Sequence, residues 1–147
     1  MRIAVEKDST DRKNVVVLEN QEEIIKHLDP EGKPMLAIYL SQSIPLDSSK
    51  NTEIYRFSMK AKGNFGSNSI NRSVMVICKF YNGTGKQAKS TGKTQIHKFA
   101  VTQGKWQDLE AKVTVPPGTT NCSILVALYG VGRFAFDDIR LEKINEN

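Results

Sequence analysis

The sequence predicts an all-β protein, an antiparallel β-sandwich of jelly-roll type with at most one short helix, near residues 21–28. Three observations carry this: apolar residues recur at every second position in segment after segment, turn residues separate those segments, and helical periodicity is almost absent. The pattern is clearest from Gly104 to Leu141. After Trp106, the only tryptophan, come Leu109, Ala111, Val113 and Val115, with Gln107, Asp108, Glu110, Lys112 and Thr114 supplying the polar positions. That is a strand with one dry and one wet face. Pro116-Pro117-Gly118 ends it, since proline gives no ladder donor and glycine takes turn dihedrals. Ile124, Val126 and Leu128 repeat the alternation. After a Gly130-Val131-Gly132 turn, Phe134 and Phe136 change parity to Ile139 and Leu141, so an irregularity is expected at Asp137-Asp138.

The earlier elements follow the same logic. Arg2 to Glu6 is a weak alternating strand and Asp8 to Lys13 a polar loop. Val15 to Leu18 is a β-prone run. Asn20 then caps one or two helical turns, with Glu22 and Glu23 at the positive end and Pro30 and Gly32 stopping them. Met35 to Leu46 is a long strand whose inward row, Leu36, Ile38, Leu40, Ile44 and Leu46, is interrupted by Gln42, which calls for backbone partners at a sheet edge. Tyr55, Phe57, Met59 and Ala61 form the next inward row, and Gly63 to Arg72 reads as a loop. Val74, Val76, Cys78 and Phe80 point inward, leaving an unusually apolar outward side of Met75, Ile77, Lys79 and Tyr81. Asn82 to Thr94 is a lysine-rich loop, and Ile96 to Thr102 a strand leading to Trp106.

Composition bounds the function. The 147 residues, 39% hydrophobic and 25% charged, suit one domain spanning 1–147, expected to be part of a larger protein. No apolar run approaches the roughly 20 residues of a membrane helix, and the first residues do not read as a signal peptide. The net charge is +5, and from Lys79 to Gln107 there are six lysines and no acid, a surface suited to an acidic polymer. Lysines without interleaved arginine and aromatic residues argue against nucleic acid. Two cysteines, Cys78 and Cys122, make no disulfide framework, and Cys78 reads as a small buried thiol.

Catalytic signatures are missing. Ser90-Thr91-Gly92-Lys93-Thr94 has Gln87 where a phosphate loop needs its first glycine. His27 and His97 lack both zinc spacing and a nucleophile motif. Asn71, Asn82 and Asn121 open glycosylation triplets that matter only in a source that glycosylates. The chain reads as a non-enzyme.

A resemblance sharpens this reading. Leu40-Ser-Gln42-Ser-Ile44-Pro-Leu46, Tyr55-Arg-Phe57-Ser58, Gly104-Lys-Trp106, Val113-Thr-Val115-Pro-Pro-Gly118, Leu125-Val-Ala-Leu-Tyr129 and Phe136-Asp137-Asp138-Ile139-Arg-Leu141 occur in that order. Together, over roughly Leu36 to Ile144, they resemble the carbohydrate-binding modules of families four, nine, sixteen and twenty-two, with their galactose-binding-like jelly roll. The resemblance implies a non-catalytic module that binds an oligo- or polysaccharide, covalently linked to catalytic or surface domains of a secreted or cell-surface protein. It implies a structural Trp106, and a structural calcium near Asp137. Relatives complete that calcium site with an Asn-Pro-Gly-Phe-Glu-like segment that this chain lacks before Met35, so the metal stays open and no cofactor is required. Sugar binding draws on aromatic faces, amides and charged groups. The outward candidates are Tyr39, Arg56, Lys60, Tyr81 and Tyr129. The competing reading is a structural or assembly β-sandwich, as in a phage, a coat or a multi-domain enzyme, with no sugar ligand.

Overall fold

The computed structural model describes residues 2–7, 14–20, 37–66 and 72–144. The helix expected near 21–28 lies outside them. In chain order the strands are β1 (Arg2–Lys7), β2 (Asn14–Asn20), β3 (Ala37–Pro45), β4 (Glu53–Phe65), β5 (Ser73–Asn82), β6 (Lys89–Ser90), β7 (Gln95–Phe99), β8 (Gln107–Val115), β9 (Asn121–Tyr129) and β10 (Gly132–Lys143). One sheet has the order β1-β2-β10-β4-β8. The second runs β3-β9-β5-β6, with β7 also paired to β5. All pairs are antiparallel. The two sheets form the predicted sandwich. Among the described residues no helix is long and apolar enough to cross a membrane.

Alternation dictates the packing. Tyr55, Phe57, Met59 and Ala61 of β4 and Leu109 and Val113 of β8 are buried from one sheet. Val74, Val76, Cys78 and Phe80 of β5 and Cys122, Ile124, Val126 and Leu128 of β9 meet them from the other. Each large apolar side chain so buried contributes about 1.5–3 kcal/mol. Phe57 and Phe99 stack at 6.3 Å across the sheets, and Phe65 tilts against Phe134 at 4.9 Å. Cys78 and Cys122 are both free and fully buried. Because Cys78 pairs with Ile124, and Cys122 with Phe80, the two thiols are diagonal neighbours on adjacent strands. The two thiols are close enough for one to hydrogen-bond the other, and no disulfide joins them.

The two long edges of the sandwich differ. On one, the Gln95 side chain of β7 donates to the Thr114 carbonyl of β8 and accepts from the Thr114 N–H at 3.1 Å, tying the sheets together. On the other, β3 faces the far half of β10 across a small cavity of ≈ 40 Å³ lined by Leu40, Ile44, Ile124, Ile139 and Leu141 among others. Gln42 lines this cavity too and is exposed. It sits at a sheet edge as expected, and its exposed position there leaves the amide open to water instead of requiring a backbone partner.

Three local features differ from the sequence reading. Strand β4 continues to Phe65, so Gly63 is not the start of a loop. It pairs with Phe134 of β10, where a Cβ would stand 2.1 Å from the Arg133 carbonyl oxygen and 2.6 Å from the Phe134 Cα. Its glycine serves close approach, a use that looks identical to a turn in sequence. The lysine-rich loop contains a 3-10 turn, Gly85–Gln87, and the two-residue strand β6. β7 ends at Phe99 rather than Thr102. The expected irregularity in β10 is present: the four residues from Asp137 to Arg140 face the three from Lys60 to Ser58, and Asp138 takes φ 49°.

Candidate functional site

The register separates the outward residues into two surfaces. On the β3-β9-β5-β7 sheet, pairing sets Tyr39, Ala127, Met75 and Lys98 in one row and Ser41, Leu125, Ile77 and Ile96 in the next. Further along come Ser43, Ser123 and Lys79, then Pro45, Asn121 and Tyr81. Tyr39 is 55% exposed and Ile96 57%, whereas Met75 and Ala127 between them are buried, and Leu125 and Ile77 half-buried. The face therefore has an apolar floor with an open aromatic on one edge strand. Hydroxyl and amide groups lie along it, and Ser43 Oγ donates to Asn121 Oδ1 at 2.8 Å.

Three of the predicted sugar contacts share this face. Tyr129 lies two residues from Tyr39's partner Ala127, so the two tyrosines are diagonal neighbours. Tyr81 is six residues beyond Met75 along β5, roughly 20 Å away at strand rise. The structure does not bring the other two to them. Arg56 and Lys60 project from the outer side of β4, on the opposite surface of the sandwich, because their parity is that of the wet face of the first sheet. No single ligand molecule lying on one face touches all five.

Around Arg56 and Lys60 the charges alternate. Arg56 stands between Glu142 and Lys112, Ser58 between Arg140 and Glu110, Lys60 between Asp137 and Asp108. Lys60 Nζ is 3.9 Å from Asp138 Oδ2, and Arg140 is 3.8 Å from both Asp138 and Glu142. An open depression of ≈ 360 Å³ is lined by Arg56, Glu110, Lys112 and Ile144. These groups already face counter-charges, so a neutral sugar gains little by displacing them.

Asp137 does not stand in a ligand cluster among the described residues. Its Oδ1 accepts the Asp138 N–H at 2.8 Å, while Asp138 faces Lys60 and Arg140. Calcium takes six to eight oxygens. Among the described residues no group of three or more His, Cys, Asp or Glu side chains gathers to hold a metal. The pair fits the bulge it shapes and does not, by itself, fit calcium. Trp106 is half-buried just before β8, outside the central core cluster.

Sequence reasoning missed Ile96, Lys98, Leu125, Ser41 and Ser43 as members of the open face. The parity of each strand held the signal, but only register across strands shows which outward residues sit side by side.

No protein-family model matches the chain, and no curated protein matches it in sequence. Solved structures do match in fold. The enzymatically active domain of tailspike protein 4 from bacteriophage CBA120 aligns with a TM-score of 0.64 and 15% identity over 97% of this chain, which spans 18% of the tailspike chain. A family 16 carbohydrate-binding module aligns at 0.61 and 14% identity, covering 95% of this chain and 84% of that one. The CBM22-1 and GH10 modules of Clostridium thermocellum endo-1,4-beta-D-xylanase 10B, complexed with xylohexaose, align at 0.59 and 14% over 99% of this chain and 25% of that one. At these identities the likeness speaks to architecture alone: the chain has the β-sandwich fold that these carbohydrate-binding modules and the tailspike domain contain.

Proposed function

We propose that this chain is a non-catalytic carbohydrate-binding module that holds a polysaccharide on the outer face of the β3-β9-β5-β7 sheet. The observation that carries the reading is that face itself: an exposed tyrosine, an apolar floor and a margin of hydroxyl and amide groups, on a fold that glycan-binding modules use. Pyranose rings present apolar faces to such aromatics and hydroxyls to such polar margins. The module would sit in a secreted or cell-surface protein and keep an attached catalytic or surface domain close to its glycan, an effective-concentration effect. The finer part of the proposal is that the glycan is acidic, as the lysines beside Tyr81 suggest.

Affinity electrophoresis over a panel of neutral and acidic polysaccharides tests the module reading. Retardation by at least one polymer is expected, and Tyr39→Ala is expected to weaken it about tenfold without lowering the melting temperature. Tight binding that Tyr39→Ala leaves intact moves the site off this face.

A second reading, a structural or assembly domain without a sugar ligand, is favoured by one observation: Tyr39 is the only tyrosine among the three on this face that is exposed. Absence of retardation by every polymer, together with a stable symmetric oligomer in solution, would establish it instead.

A further inference from the structure

We infer that the polysaccharide held by this face is a polyanion, carboxylated or sulfated, whose acid groups meet Lys79 and Lys98. This rests on the glycan-binding reading above and fixes the ligand class within it.

The fold divides charge unevenly between its two surfaces. On the β1-β2-β10-β4-β8 sheet, acids and bases alternate across neighbouring strands and pair with one another. On the other sheet no strand carries an acid: β3 and β9 are uncharged, while β5, β6 and β7 carry Lys79, Lys89 and Lys98. Lys89 pairs with Asn82 and so has the opposite parity to Tyr81, which leaves Lys79 and Lys98 on the outer face; among the described residues neither of these two has an ion-pair partner. Lys98 is exposed and Lys79 half-exposed. Their positive potential is therefore left for a ligand.

Position matters as much as sign. Lys98 ends the row that Tyr39 begins, three strand spacings or roughly 14 Å away, with Ala127 and Met75 as the floor between. Lys79 is four residues along β5 from Met75, also roughly 14 Å. A sugar chain lying here puts ring faces on Tyr39 and the floor, hydroxyls on Ser41, Ser43 and Asn121, and its acid groups toward the β5-β7 side. Nucleic acid suits the face less well. Phosphates favour arginine forks and bases need several stacking faces, whereas these strands hold no arginine and one open aromatic.

The test titrates the whole chain with polygalacturonate, dextran sulfate, neutral xylan, neutral β-glucan and duplex DNA, at low and moderate salt. The acidic glycans are expected to bind more tightly than the neutral ones and to lose several-fold in affinity as salt rises. The carboxylated and sulfated arms identify the acid group. The double variant Lys79→Gln/Lys98→Gln is expected to weaken acidic-glycan binding about fivefold at unchanged melting temperature. If neutral glycans bind as tightly as acidic ones, with no salt dependence, the charge inference falls and the module reading stands. If no polymer binds, both fall. DNA binding as tight as that of the acidic glycans overturns the inference as well, because the sugar then contributes nothing.

Discussion

Gly63 shows how tightly single residues fix this architecture. Two of the atoms a Cβ would meet, the Arg133 carbonyl oxygen at 2.1 Å and the Phe134 Cα at 2.6 Å, belong to backbone and have no rotamer to adopt. Gly63→Ala is therefore expected to cost several kcal/mol, about 3 or more, seen as a large fall in the urea midpoint. Gly85 is the control. A Cβ there has nothing within 4 Å, and only its φ of +65° is unfavourable, so Gly85→Ala should cost about 1–2 kcal/mol. A second residue-scale prediction concerns Glu53. Hydrogen bonds from Lys143 and Ser49 hold its carboxyl below the usual carboxylate range, and Lys143 Nζ lies 3.1 Å from Oε1. A depressed folded pKa means the contribution is fully present at neutral pH and is lost as pH falls through the folded value. An NMR titration should find the Glu53 midpoint below that of ordinary glutamates, and Lys143→Gln should move it back up. An unshifted midpoint in the parent protein refutes this.

At the scale of elements, the seam between β7 and β8 rests on one side chain. The Gln95 amide satisfies both the N–H and the carbonyl of Thr114, which otherwise point away from β4. Gln95→Ala is expected to cost about 1–3 kcal/mol and to speed hydrogen exchange at Thr114 while leaving central β5 amides protected. Uniform acceleration across all strands would mean that the clip is not local. The β10 bulge illustrates what pattern reading can and cannot reach. The parity change from Phe136 to Ile139 required one extra residue, and Asp137-Asp138 supplies it, with the Asp137 carboxylate accepting the next N–H. The same logic failed at Gly63 to Phe65, since a glycine that admits a neighbouring strand and a glycine that turns a chain are written with the same letter.

For the whole molecule, two facing layers were legible because burial on one side of a strand leaves a period of two in sequence. The binding surface was only half legible. Tyr39, Tyr81 and Tyr129 share a face as outward residues, but Arg56 and Lys60 fall on the other surface, since parity says outward without saying outward from which sheet. Ile96 and Lys98 join the face only through the β5-β7 register, which no local pattern encodes. That division underlies the salt and lysine-variant experiments proposed above: if the two surfaces were electrically alike, they would have nothing to distinguish. The placement of β10 reaches into how the protein is made. The last strand in the chain lies at the centre of its sheet, pairing with β2 on one side and β4 on the other. During synthesis the β1-β2 pair consequently has no sheet to join until β10 has left the ribosome, so the nascent chain must keep the apolar faces of the earlier strands from wrong partners, or in a chaperone, until then.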